Sequence, residues 1–398
     1  MDKKDWTYRK LGEVCDFERG LTYSKNDESP IPTENSVFRS NNVDLDTKQI
    51  VLDDIKYLVS DFCIPDSKKV RPNTILICMS NGSMQHVGKV AHIEKNYNSA
   101  FGGFMGLLIP KQECLSKYLF YFLNSSNYRH FLISIANGVN ITNLKFSDLR
   151  NLNLPIPLLP TQQRIVAELD CISTILEKKR QQLKELDNLA QAIFYEMFGD
   201  PVENEKGWEV KKLGEIGTIK IGPFGSLLHT SDYITNGIPL VNPVHMQNGC
   251  IKADNNFTIS TEKARELNAY QLKTNDLIFA RRGDIGRCAV VSEKENGFLC
   301  GTGSLFVRFE RILDVTFILF CTKAESFIKD LVSKAKGATM LNINCKIVED
   351  LLVILPPLSL QQSFAAKIEA IEKQKERISQ SIKEVQTLFD SRMEEYFG

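Results

Sequence analysis

Long apolar runs are missing from this 398-residue sequence. No stretch approaches the roughly 18 residues that a membrane-spanning helix needs. The opening Met1-Asp2-Lys3-Lys4-Asp5 is charged where a secretory leader would need an apolar segment. Paired cysteine motifs are missing too, because the ten cysteines are scattered without a single Cys-x-x-Cys spacing. That argues against a zinc site and a disulfide framework, and for reduced thiols in a cytoplasmic protein with no membrane association. Histidine is scarce, with five residues in no ligand spacing, so no metal is expected. An excess of one charge is also lacking, since 49 basic residues balance 49 acidic ones. The chain alone is therefore expected to bind a polyanion only weakly.

Catalytic signatures are equally absent. There is no Gly-x-x-x-x-Gly-Lys-Ser/Thr phosphate loop, and Gly301-Thr302-Gly303 lacks the third glycine and acidic partner of a dinucleotide site. Asn242-Pro243-Val244-His245 lacks the second proline and the aromatic residue of an amino-methyltransferase motif. Pro65-Asp66 lacks a downstream acidic-x-Lys at nuclease spacing. No catalytic residue and no cofactor bound by this chain are expected. A self-contained DNA methyltransferase or nuclease is one alternative of a different class. A coiled-coil scaffold that binds only proteins is another, favoured by the zero net charge.

What the sequence does contain is a duplication. Trp6 opens a segment reading Arg9-Lys10-Leu11-Gly12-Glu13-Val14, and Trp208 opens Lys211-Lys212-Leu213-Gly214-Glu215-Ile216, 202 positions on. Leu158-Leu159-Pro160-Thr161-Gln162-Gln163 returns as Pro357-Leu358-Ser359-Leu360-Gln361-Gln362, 199 positions on. A period of about two hundred residues is too long for a solenoid and marks two whole domains. Two similar surfaces on one chain suit a target with two parts.

Each copy ends in a heptad pattern. The first has apolar residues at Ile165, Leu169, Ile172, Leu176, Leu183 and Leu186, continuing through Ala190, Ile193 and Met197 and broken at Lys179. The second has Phe364, Ile368, Ile371, Ile378, Ile382 and Val385, continuing through Phe389 and Tyr396 and broken at Lys375 and Arg392. Alternating steps of three and four over about five heptads predict a coiled-coil seam. Ser359 with Gln362 forms a capping-box pattern, and Pro160 holds the matching place in the first copy. Gly199 and Gly398 mark the helix ends. A helix of about 37 residues is about 55 Å long. That exceeds a small domain, so the two helices are expected to pair with each other. The expected domains are 1–157, 158–200, 201–357 and 358–398.

The two large segments read as mixed α and β structure. Short buried strands are expected at 75–78 and 277–280, followed by Asn81-Gly82 and Arg282-Gly283 turns, with the next strands at 87–91 and 286–291. Helical stretches follow at 116–136 and 315–335, then turns at Gly138 and Gly337. Residues 1–157 carry 19 basic and 17 acidic side chains and 201–357 carry 19 and 18, so affinity for DNA must come from local clustering or from a basic partner. Matching polar turns supply candidates. Arg39-Ser40-Asn41-Asn42, 80–86 and 137–143 in the first segment answer to 242–245, 281–287 and 336–342 in the second. Arginine forks suit guanine and asparagine or glutamine suits adenine, so different side chains on equivalent turns would read different bases. Asparagine and glycine are also ordinary turn residues, and some positions are expected only to shape loops. The candidate DNA-binding set is Lys25, Arg39, Asn41, Asn81, Gln85, His86, Asn140 and Asn143, with Ser226, Asn242, His245, Arg281, Arg282, Arg287, Thr339 and Asn342.

The order of variable lobe, proline-containing hinge, Gln-Gln-initiated long helix ending Glu196-Met197-Phe198-Gly199, second lobe, second hinge and second helix ending Glu395-Tyr396-Phe397-Gly398 resembles the specificity subunits of type I restriction-modification systems. The resemblance covers essentially the whole chain. It implies an α+β fold class, with two target recognition domains joined by two long helices in an antiparallel coiled coil and related by a pseudo-twofold repeat. It implies that each lobe reads one half of a bipartite, asymmetric double-stranded DNA target across an unread gap, the half-sites lying roughly 34 Å apart. The implied partners are two modification subunits, which use S-adenosylmethionine to methylate adenine N6, and restriction subunits, which use ATP and Mg for translocation and cleavage. One departure is that the family's hinge usually carries Glu-Gln where both copies here carry Gln-Gln, at Gln162-Gln163 and Gln361-Gln362.

Overall fold

The computed structural model describes residues 6–135, 143–309, 313–335 and 341–398. The expected turns at Gly138 and Gly337 lie outside the described residues. Compactness divides the chain into two units, Met1–Arg180 with Gln380–Gly398, and Gln181–Ser379. Each contains one lobe and parts of both long helices.

In the first lobe the wholly buried run Thr74–Cys78 forms a central strand, because its two faces pack on different layers. It pairs with Met105–Pro110 on one side and Val90–Ile93 on the other, and Cys15–Arg19 completes an antiparallel sheet of four strands. Ile75 and Ile77 point into a core shared with helices Ser116–Phe122 and Ser126–Ile135. Leu76 and Cys78, one residue out of phase, join Phe38, Phe101 and Leu107 in a second core. A second sheet of short strands, Glu28–Ser29, Lys56–Leu58, Ser36–Phe38 and Ala100–Phe101, ends in a parallel pair. The second lobe repeats the plan. Gly217–Ile221, Ser304–Phe309, Leu277–Ala280 and Cys288–Val290 form its antiparallel sheet, and Leu277 and Phe279 share a core with Phe317 and Leu331 from its helices.

Several expected boundaries shift. The strand expected at 87–91 begins only at Val90, because Met84–His86 forms a tight turn and Gly88, at φ +80°, donates its N–H to Cys78 O. The helical stretches at 116–136 and 315–335 are each two helices, the second pair being Val315–Lys323 and Glu325–Lys334. Pro155 lies within strand Asn153–Ile156. That strand pairs only with Thr7–Lys10, so the missing N–H forfeits nothing.

The long helices are Leu159–Phe198 and Leu358–Phe397, 40 residues each. Ser359 falls inside the first turn of the second, so the capping box does not form there. A buried amide does the joining. The Gln162 side chain accepts Leu115 N–H at 2.9 Å and donates to Glu113 O and Pro157 O, both at 2.8 Å. Gln361 accepts Asp314 N–H at 2.9 Å and donates to Pro356 O at 2.8 Å. Only an amide can both donate and accept in this way. The hinge glutamines therefore tie each helix start to its lobe.

The helices pair antiparallel within each unit. In the first, Arg392 and Tyr396 meet Glu168, and Arg180 meets Gln386. In the second, Lys375 pairs with Asp187 at 2.7 Å, and Phe194 and Phe198 pack on Phe364. Lys375 therefore interrupts the seam with an ion pair between the helices. Ile165, Leu169, Ile172, Leu176, Phe364, Ile368 and Ile371 are buried, while Leu183, Leu186, Ile378, Ile382 and Val385 are half-buried. Toward the helix ends Ala190 and Tyr396 are buried as the heptads expected, but Phe194, Phe198, Met393 and Phe397 are buried too, while Ile193, Met197 and Phe389 are only half-buried. A straight α-helix drifts against a seven-residue repeat. Here Phe194 and Phe198 pack edge-on or tilted against Phe317, and Phe397 against Tyr118 and Phe122, so the helix ends also complete the lobe cores.

Candidate nucleic-acid interface

In the first lobe three chain segments converge beyond the ends of the central strands. Residues Ser40–Asn42 form a tight turn in which the buried Asn42 side chain accepts Arg39 N–H at 2.9 Å. Residues 79–89 connect two strands, and Ser80 bridges to Asn143. Asn81 donates to Ser40 Oγ at 2.6 Å, fastening the second segment to the first. The Arg39 guanidinium is held by Asp54 at 3.0 Å, and Asn41 donates to the same carboxylate. Gln85 is exposed, and His86 is half-buried with its pKa lowered by burial and then by Lys89. Lys25 lies on a separate exposed turn, Lys25–Asp27.

The second lobe builds the same frame from other residues. His245 occupies the place of Asn42. It is 4% exposed, and its Nδ1 accepts Asn242 N–H at 3.1 Å. Burial lowers its pKa, which suits a ring used as an acceptor. The structure places His245 in the frame of the turn, and the exposed position of the turn is Val244, which answers to Asn41. Arg287 is also tied internally. It donates to Pro243 O at 3.2 Å and pairs with Asp284, as Lys89 of the first lobe donates to Val43 O at 2.7 Å. Arg281 and Arg282 differ. Neither has a carboxylate within ion-pair distance among the described residues, and Arg282 bridges to Asn342. Burial and the neighbouring Arg282 hold the Arg281 pKa below its usual value. Two adjacent cations without a counter-charge form an anion-seeking point.

The segments that converge are also where the repeats differ in length. Register pairs Ile77 with Val90 and Phe279 with Cys288, so the connection after the central strand is four residues longer in the first lobe. Buried polar atoms without a hydrogen-bond partner also gather here, among them Arg39 Nε, His86 Nδ1, His245 Nε2, Arg281 Nε and Asn342 Oδ1. Such atoms are rare in folded proteins, and each calls for a partner such as water, an ion or a bound molecule. Asn140, Thr339 and the Ser226 side chain lie outside the described residues.

One residue at this surface was not singled out by sequence. Phe104 is 73% exposed, yet its carbonyl accepts the N–H groups of Met79 and Ser80 at 2.8 and 3.2 Å. Its counterpart is Gly303, whose carbonyl accepts Arg281 N–H at 2.8 Å. A lone exposed aromatic residue beside two glycines carries no motif, and only strand pairing brings it to the turns.

No helix among the described residues is long and apolar enough to cross a membrane. The family profile described as "Type I restriction modification DNA specificity domain" matches the chain twice, at residues 3–187 and 205–387. The chain is 23% identical over 410 residues to the specificity subunit of the type I restriction enzyme StySPI from Salmonella potsdam, covering 97% of this chain and 86% of that protein. It is 24% identical over 390 residues to the EcoKI specificity subunit of Escherichia coli K12, covering 92% and 82%. Among solved structures, the S subunit of a type I system from M. genitalium aligns with TM-score 0.57 at 16% identity, covering 99% of this chain and 96% of that one. A chain from a structure of type I restriction-modification complex assembly aligns with TM-score 0.59 at 18% identity, covering 99% and 98%. With both repeats matched by one profile and the same fold found along the full length, the chain belongs to the type I restriction-modification DNA specificity family.

Proposed function

We propose that this chain is the DNA-recognition subunit of a type I restriction-modification complex, each lobe reading one half of a bipartite, asymmetric target. The observation that carries this reading is the pair of frames with unlike contents. Asn42 and His245 hold equivalent turns, while Asn41 faces solvent in one lobe and Val244 in the other. A frame kept in two copies with its exposed positions changed is what two different half-site readers require.

The chain itself performs no chemistry and works as an adaptor in the cytoplasm. Two modification subunits dock on it and bring S-adenosylmethionine for adenine N6 methylation, and restriction subunits bring ATP and Mg. The near-neutral charge fits an adaptor whose DNA affinity is completed by basic partners. The unpaired Arg281 and Arg282 favour this reading over a scaffold that binds only proteins. The deciding experiment is methylome sequencing of cells carrying this chain and its modification partner. A two-part methylated motif is expected, and Arg281→Ala with Arg282→Ala should weaken the complex's DNA binding by about tenfold or more while leaving assembly intact. DNA binding unchanged by this double substitution would refute the role given to that turn, and the absence of any motif would refute the reading as a whole.

A further inference from the structure

Beside the first lobe's turns lies a cleft lined by Phe17, Glu18, Arg19, Lys68, Phe146 and Arg150. Its centre is an interlocked set of two rings and two guanidinium groups. Phe17 and Phe146 meet edge to face at 5.4 Å. Arg19 lies over Phe146 at 5.9 Å and Arg150 over Phe17 at 5.2 Å. A ring beneath a guanidinium holds its position through cation–π attraction while its N–H groups can still donate. Both arginines are exposed, and neither has a carboxylate within ion-pair distance among the described residues. The one acid in the cleft, Glu18, is already occupied by Lys68, which also donates to Arg19 O at 3.0 Å.

The cleft adjoins the reading turns through Gly106. A Cβ on Gly106 would meet Phe146 at 2.8 Å and Met79 at 3.1 Å, so the Phe146 ring and the base of the 79–89 segment close on the same glycine. The second lobe lacks every member of the set. Strand register puts Ile219 and Ile221 in the places of Phe17 and Arg19. The short helix Cys345–Glu349, matching Phe146–Arg150, puts Cys345 and Glu349 in the places of Phe146 and Arg150.

We propose that this cleft is a phosphate-binding site that grips the DNA backbone flanking the half-site read by the first lobe, with no equivalent in the second. The inference rests on the DNA-recognition reading above. Two guanidinium forks, each against a ring, offer N–H donors of the kind that bidentate phosphate contacts use. Contacts of this kind position a duplex without reading its sequence.

The test uses the full chain assembled with its modification subunits, and measures binding to a duplex carrying the methylated motif and to a scrambled duplex across a salt series. Arg19→Gln with Arg150→Gln should weaken binding about tenfold on both duplexes and reduce the slope of log affinity against log salt by about one, as loss of a single phosphate contact requires. Arg19→Lys with Arg150→Lys should restore the slope but only part of the affinity, because an ammonium group lacks the fork. Unchanged affinity and slope in the glutamine variant would overturn the proposal. So would a loss confined to the target duplex, which would mean base contact, or failure of the glutamine variant to assemble with the modification subunits, which would mean a protein-docking cleft. If the wild-type complex shows no salt-dependent preference for its motif, the recognition reading itself fails, and that is seen before any variant is compared.

Discussion

At the residue scale, the turns show how one position serves frame and another serves surface. Asn42 and His245 are unlike side chains that do one job, accepting the N–H three residues back. That job needs an unprotonated acceptor. The folded chain holds the His245 pKa below 6.5 chiefly by burial. As pH falls through about 6.5, the unfolded state therefore takes up a proton that the folded state refuses, and stability declines. The expected outcome is that His245→Asn, which supplies the acceptor used in the first lobe, loses less stability between about pH 7.5 and 5.5 than the native chain, by up to about 1 kcal/mol. Chemical unfolding at the two pH values measures it. Residue types at these turns were legible in the sequence. Which of two neighbours faces inward was not, since a one-residue step within a tight turn reverses direction and no periodicity records it.

At the scale of elements, the hinges explain the Gln-Gln pairs. Gln162 and Gln361 are 0% and 1% exposed, whereas Gln163 and Gln362 lie on the surface. Gln162→Glu would remove donors to two carbonyls and set a carboxylate against them. A loss of about 2–4 kcal/mol is expected, against no more than about 0.5 kcal/mol for Gln163→Glu. Thermal unfolding of both variants checks the contrast. The seam shows a similar division. Heptads located the paired helices, but the ends are bound by Phe194, Phe198 and Phe397 to the lobes, which a pattern internal to the helix cannot display.

At the scale of the whole molecule, each long helix begins in one compact unit and ends in the other. The helices pair in fixed antiparallel register, through Glu168 with Tyr396 in one unit and Asp187 with Lys375 in the other. A heptad inserted after Arg180 alone would leave its partner helix seven residues short, and assembly and methylation should be lost. Matched heptads after Arg180 and Ser379 keep both apolar stripes in phase. Each adds about 10 Å of helix, and the unread gap of the methylated motif should grow by about three base pairs. Methylome sequencing of the two strains reads the outcome directly, and an unchanged gap would remove the helices from the spacing of the target.

Sequence by itself determined the duplication, the two long helices, the α+β character of the lobes and the family. These rest on patterns that repeat along the chain, such as heptads, paired apolar strands and matching hinges, and repetition survives without coordinates. The tertiary structure decided which turn residues are frame and which are surface, that the extra four residues of the first lobe fall in the segment beside Asn143, and that Phe104 and the Arg19–Phe146–Phe17–Arg150 set stand beside the turns. Those groupings join residues distant in sequence, Phe104 with Met79 across paired strands and Arg19 with Phe146 between a strand and a short helix. No local periodicity encodes a contact made only when the sheet closes.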